Sequence, residues 1–335
     1  MTGRERFRRV FRGEPFDRPP LLDDGVREGV VERWRGEGMP RDKTPAELFG
    51  LNLHDRIGPD LTPRVANRRD VLGLSARGYR AAFRVSRDRF PKDWAETLGR
   101  LAGRDQIIGI WAARGFFQAL GVGDWPTLSA VLYAVRDVSR KIENRLRIYG
   151  DFCARMLEDV LRDVDPEFIY LGEPISDNHG PLISPEDFRR LALPAYEEII
   201  AVAREHEKRR PGAANVLVST YGNVAALIPA LLEAGANILW VSEISELPSM
   251  EYRRLRAEHG RRLGLVGGIP LSVLASESEG EMERRMGGIV PPLLASGRYV
   301  PLASGRVRED VSWRRYSRYR ELLAKIVEES ARGGV

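Results

Sequence analysis

The sequence predicts an α/β chain that closes as a single (β/α)8 barrel of the TIM type, with a helical N-terminal excursion. Three observations lead there. From residue 105 onward, short apolar runs alternate with stretches of helical period, the pattern of βαβ units and a parallel sheet. The runs are continuous rather than alternating, as strands buried on both faces are. No GxGxxG follows an early strand, so an open dinucleotide-binding sheet lacks its fingerprint and the closed form is preferred. Residues 1–335 are read as one domain with its repeats clearest from 105, because single barrels run from roughly 200 to over 400 residues.

The N-terminal third is the least regular. Thr2 is placed to cap a helix running to Arg12, with Glu5 completing a capping box. PPLLDD at 19–24 reads as a short strand ending in two acids. Residues 27–36 read as a helix closed by Gly36, and GYRAAFRVS at 78–86 alternates enough to suggest a strand or hairpin. DRFPKDW then leads into another helix. The rhythm begins with IIGIWA at 107–112, followed by a helix holding Phe116 and Phe117 and another from Thr127. The longest helical pattern covers 137–163. Next come FIYLG at 168–172, NVLVST at 215–220 with a helix at 223–234, and NILWVS at 237–242 with a helix at 249–259. LGLVGG at 263–268 precedes a helix at 279–295, and RYVPLA at 298–303 precedes the last, at 311–329.

Composition narrows the function classes. The chain is 43% hydrophobic and 30% charged, enough for a large core. No apolar run approaches the ~20 residues that span a bilayer, so no membrane role is expected. The opening MTGRERFRRVFRGEP is charged throughout and has no apolar signal region, which favours the cytoplasm over secretion. The net charge is only +5, with acids interspersed everywhere, so the basic residues read as a solvated surface rather than a nucleic-acid face. Cys153 is the only cysteine. It excludes an internal disulfide and a cysteine-cluster metal site, and its helical context suits a buried thiol.

In a parallel barrel the residues just past each strand converge on one mouth. Those positions supply the candidates. Glu173 and Glu243 directly follow apolar runs, where partial desolvation raises a carboxyl pKa and suits acid–base catalysis; such a residue also serves as a helix cap or buried ion pair. His179, in the loop DNHGPLISP, suits proton transfer, though a histidine before Gly-Pro is often a turn residue. These three are the catalytic candidates. Asp24 and Arg27 could hold polar and carboxylate groups of a substrate, and Arg114, Tyr221, Ser304 and Arg306 complete the substrate-binding set. The Gly267-Gly268 pair permits close backbone approach, to a phosphate or to a neighbouring helix. Trp111 and Phe117 fit core packing better than a pocket wall.

These loops carry a resemblance. RERFRRVFRGEPFDRPP looks like the opening of uroporphyrinogen decarboxylase and of the related corrinoid-dependent methyltransferases. IYLGEPISDNHGPLISPEDFRRLALPAYEEI resembles that superfamily's most recognisable stretch, YGNVAALIPALLEAGANIL its next βα unit, and LGLVGGIP its glycine pair, with Pro270 where an Asp is usual. GRYVPLASGRVREDVSWRRY resembles its closing strand and helix. The likeness runs in order over nearly the whole chain and is nearest the methyltransferase-like branch. It implies an enzyme, methyltransferase-like or a carboxy-lyase, acting on a small molecule, with homodimerisation expected and a corrinoid supplied by a carrier protein as the implied methyl acceptor.

The departures matter as much. Zinc-dependent methyltransferases of the superfamily place H-x-C after the strand that here ends in Thr220, and another Cys near the last strand. This chain has Ser219-Thr220-Tyr221 and Ser304-Gly305-Arg306 there. Zinc activates a thiol through soft ligands, so no zinc and no tightly bound cofactor is expected; a site from Glu173, His179 and Glu243 is the remaining metal option. The decarboxylase's arginine-rich substrate loop is also missing, since PLLDDGVREGV keeps only Arg27. The reading preferred on these grounds is an atypical, zinc-thiolate-lacking methyltransferase. Decarboxylation of a tetrapyrrole or other acid, and a non-catalytic binding barrel, are the alternatives.

Overall fold

The computed structural model describes residues 1–210, 215–242, 247–276 and 278–332. Seven strands and the helices between them form two compact units, each discontinuous in sequence: Asp55–Arg104 with Ile108–Asn237, and Met1–His54 with Asp105–Ile107 and Ile238–Val335.

The 55–237 unit takes its strands from β1 (His54–Ile57), β2 (Ile107–Ala113), β3 (Phe168–Gly172) and β4 (Val216–Tyr221), ordered as in the chain. β2 and β3 pair in parallel, as do β3 and β4. The predicted apolar runs are these strands, and they are buried along most of their length, as parallel strands covered on both faces must be. The β2–β3 register slips between Trp111 and Ala113, a bulge that re-aims side chains at the strand end. Gly109 belongs to this packing: a Cβ there would fall 2.1 Å from the Phe168 ring. The 25-residue helix Ser139–Asp163 buries Tyr149 and Cys153, and Gly150 lets the backbone of Ala195 in helix Leu193–Arg209 approach closely.

Within the same unit the 78–86 segment is not a strand. Ser75 caps a helix, Ala76–Ala82, through the Gly78 N–H, and Tyr79, Ala82 and Phe83 are buried at helical spacing. Burial at i, i+3 and i+4 outweighs the apparent alternation. The loops around this helix are tied by the buried Arg89. Its guanidinium donates to the carbonyls of Arg84, Asp60, Thr62 and Ala82 at 2.7–2.9 Å.

In the other unit β5 (Ile238–Ser242), β6 (Gly264–Ile269) and β7 (Tyr299–Ala303) run parallel in chain order. The N-terminal helix is Gly3–Arg12, and the Thr2–Glu5 capping box forms as expected. The second helix begins only at Val30, because Gly29 takes a left-handed conformation (φ 82°). The predicted strand at 19–24 is extended chain without a regular ladder. Leu21 exchanges hydrogen bonds with Asn52 on one side, and Gly25 and Arg27 bond Val307 on the other. Pro19 and Pro20 have no N–H to donate, and Arg320 takes the Leu22 carbonyl at 3.0 Å. The described residues therefore form seven regular strands where eight were expected.

Candidate functional site

In the 55–237 unit the chemistry gathers at the C-terminal ends of β2 and β3. Glu173 continues the sheet for one residue, its N–H donating to the Ser219 carbonyl at 2.7 Å. Its side chain then turns inward and is 1% exposed. Both carboxyl oxygens accept from the Phe116 N–H, at 3.2 and 3.1 Å. That approach depends on Gly115. Its φ is 93°, and a Cβ there would meet the Gly172 carbonyl at 2.5 Å and Glu173 Oε1 at 2.9 Å. Burial, with no cation among the described residues in contact, pushes the Glu173 pKa up to about 8, against a smaller lowering by the Phe116 N–H. At neutral pH this carboxyl is therefore held protonated.

Around the ends of these strands stand two arginines and two rings. Arg114 lies 3.8 Å over the Trp111 ring, within the range of a cation–π contact. The Trp111 ring meets Tyr170 edge-on at 4.4 Å and covers Gly172, which has no side chain to obstruct it. Arg56, from β1, lies 4.9 Å from the Tyr170 ring and donates to its hydroxyl at 3.0 Å. The turn holding Arg114 is fixed from below by Tyr149, whose hydroxyl accepts the Arg114 N–H at 2.8 Å.

The other candidates of this unit are placed differently. Tyr221 ends β4 and is 50% exposed. His179 sits in a turn built on Asp177, which accepts the N–H groups of His179 and Gly180. The histidine side chain is 95% exposed. Phe117 is buried. Arg56, Tyr170 and Tyr149 escaped the sequence reading. β1 is four residues long, HDRI, with no apolar run to announce it.

In the second unit the strand ends hold a separate cluster. Asp24 accepts a hydrogen bond from the Ser242 hydroxyl at 3.2 Å. Neighbouring Asp23 accepts the Tyr316 hydroxyl, with the buried Arg320 4.0 Å away, and the His54 ring contacts the Asp23 carbonyl at 2.7 Å. Ser304 is buried, and its hydroxyl accepts the Gly268 N–H at 2.7 Å. The glycine pair serves a neighbouring helix: a Cβ on Gly268 would strike the Tyr252 ring at 2.5 Å, and Tyr252 opens helix Tyr252–His259. Arg306 is exposed and donates to the Val26 carbonyl at 3.1 Å, while Arg27 is an exposed residue whose N–H bonds Val307. Glu243 lies outside the described residues.

The donor set does not fit a thiolate zinc centre. Cys153 is buried in a helix, with its thiol pushed up by burial out of thiolate range. Among the described residues no three His, Cys, Asp or Glu side chains converge to hold a metal.

Strand order and burial define an α/β protein built on a parallel sheet, with a buried carboxyl just past the end of one strand. The chain belongs to the uroporphyrinogen decarboxylase family, whose model matches residues 127–301. Among solved structures it resembles a methyltransferase from Methanosarcina mazei, at 14% identity and a TM-score of 0.60 over 98% of this chain and 99% of that one. The two therefore share a fold. A 2,3-dimethylmalate lyase of the PEP mutase/isocitrate lyase superfamily aligns at 12% identity over 100% of this chain and 86% of its own, with a TM-score of only 0.30. A chitinase from Rhizomucor miehei aligns at 11% over 75% and 68%, at 0.31. No curated protein matches the sequence.

Proposed function

We propose that this chain is an enzyme that removes a methyl group from a small methylated oxygen or nitrogen compound, with Glu173 as the general acid. The observation that carries the reading is the buried, unpaired carboxyl of Glu173, protonated up to about pH 8. A methyl group leaves an ether or amine only if the heteroatom gains a proton, and a neutral carboxylic acid supplies it. Such assistance is worth about 10²–10⁴-fold. The acceptor would be a reduced corrinoid on a carrier protein, which supplies a nucleophile for the methyl group. This chain's own residues bind, orient and protonate the substrate. Trp111, backed by the buried Tyr170, offers a ring, and Arg114 a guanidinium held over it. The shared fold with a methyltransferase supports the same reading.

Decarboxylation is favoured by a different observation. Arg114 has no carboxylate partner among the described residues and would anchor a substrate carboxylate. One panel separates the two readings: methylated amines, aryl methyl ethers and porphyrinogen carboxylates, each incubated with and without cob(I)alamin. Corrinoid-dependent loss of methyl, abolished by Glu173→Gln, supports methyl transfer. Release of carbon dioxide without corrinoid supports decarboxylation. Neither reaction, together with no stabilisation by any substrate, would favour a barrel that only binds.

A further inference from the structure

At the end of β6 and β7 opposite Ser304 lies a groove with apolar walls from Pro15, Phe16, Ala295 and Ala331. Its head is cationic. The Arg261 guanidinium lies across two backbones: a Cβ would come within 3.2 Å of its Nη2 at Gly13 and within 2.9 Å at Gly297. Both glycines have positive φ, 71° and 73°, so the guanidinium occupies room that two missing side chains leave. Arg298, next in the chain, is the only non-glycine residue with positive φ among those described (52°). That conformation costs an L residue energy and persists only where something holds it. Its Nη1 donates to the Arg261 carbonyl at 2.7 Å, bracing the first arginine. Behind both, Arg256 bonds the carbonyls of Gly260, Leu263, Gly297 and Arg298.

None of the three arginines is paired with a carboxylate among the described residues, and Arg261 donates no hydrogen bond there. The acids that line the groove are engaged elsewhere, Asp17 by Arg6 at 2.6 Å and Glu14 by Arg12 at 3.4 Å. Burial and then repulsion by Arg298 and Arg261 hold Arg256 down at about 10. Like charges held this close lack only a counter-ion, and a guanidinium with free, coplanar N–H groups matches a carboxylate or phosphate.

We propose that this groove binds a small anionic amphiphile, its carboxylate or phosphate head on Arg261 and Arg298 and its apolar body along Pro15, Phe16, Ala295 and Ala331. The site is independent of the reaction at Glu173.

Calorimetric titration of the full chain with octanoate, octyl phosphate, octanol and inorganic phosphate tests it. At least one anionic amphiphile should bind one per chain, with octanol weaker by about tenfold or more, a 1.4 kcal/mol difference. Preference between octanoate and octyl phosphate identifies the head group. Arg261→Gln should weaken binding by about tenfold or more with an unchanged melting temperature. Arg298→Gly, which relieves the backbone, should weaken it without destabilising the fold. Binding of octanol as tight as octanoate, inorganic phosphate as tight as octyl phosphate, indifference to Arg261→Gln, or no binding at all would each overturn the proposal.

Discussion

The Phe116 N–H reaches both carboxyl oxygens of Glu173, at 3.2 and 3.1 Å, and among the described residues no cation accompanies it. One backbone donor cannot replace the water that an ionised carboxylate loses on burial. The protein therefore keeps a neutral acid at the end of β3, and this sets the first prediction. If Glu173 is the proton donor, turnover is highest below about pH 8 and falls as pH rises through that value. A pH–rate profile from 6 to 10 checks this, and Glu173→Gln should lower the plateau by about 10²–10⁴-fold.

Stability should respond in the opposite sense to the variant. The folded-state pKa of Glu173, about 8, lies above its ordinary 4.5, so the unfolded chain releases this proton first. The contribution of the group is fully present below about pH 4.5 and is lost as pH rises toward 8. Glu173→Gln removes that loss. Denaturant titrations should show the variant gaining on the parent between pH 5 and pH 8, by up to roughly 4 kcal/mol at about 1.4 per pH unit. A constant difference would mean that Glu173 is ionised.

Much of this was legible beforehand, for reasons visible in particular residues. IIGIWA, FIYLG and NVLVST read as strands because every residue faces a packed layer, and Glu173 stood out as a carboxyl directly after such a run. Arg56 did not, because a four-residue strand with no fully buried position leaves no apolar signal. The 78–86 segment reads as a strand because its apolar residues resemble alternation, and the helix Ala76–Ala82 shows only once Tyr79, Ala82 and Phe83 are seen buried together. The role of the glycine pair turned on the Tyr252 ring, fifteen and sixteen residues earlier in the chain, which no local pattern reports.

Gly115→Ala should damage the fold and the site together. The new Cβ would clash with the Gly172 carbonyl at 2.5 Å and force a left-handed conformation on alanine. Strain of this kind costs about 1–3 kcal/mol. Urea unfolding should show that loss, and turnover should fall beyond what instability explains, because the Phe116 N–H no longer lies on Glu173.

Tyr149→Phe should act at one remove. The ring stays and only the acceptor for the Arg114 N–H is lost, leaving a part-buried donor unsatisfied at about 1–3 kcal/mol. Arg114 and Phe116 belong to the same turn. The variant should therefore move the pH midpoint of turnover as well as its rate, which a purely structural defect would not do.

Arg89→Leu tests the scaffold away from the chemistry. The guanidinium satisfies the carbonyls of Asp60, Thr62, Ala82 and Arg84, and its loss strands one buried acceptor, that of Ala82, at about 1 kcal/mol or more, and frees three part-buried ones. Limited proteolysis should cut the 60–90 segment far faster in the variant while leaving 139–209 protected.

The most direct test of the central claim is the protonation state of Glu173 itself. Infrared difference spectra between the parent and Glu173→Gln, recorded from pH 6 to 10, isolate one carboxyl group. The account predicts a protonated carboxylic acid carbonyl band in the parent at pH 7, absent from the variant and bleaching with a midpoint near 8. A carboxylate band at pH 7, with no protonated band to titrate, would contradict it.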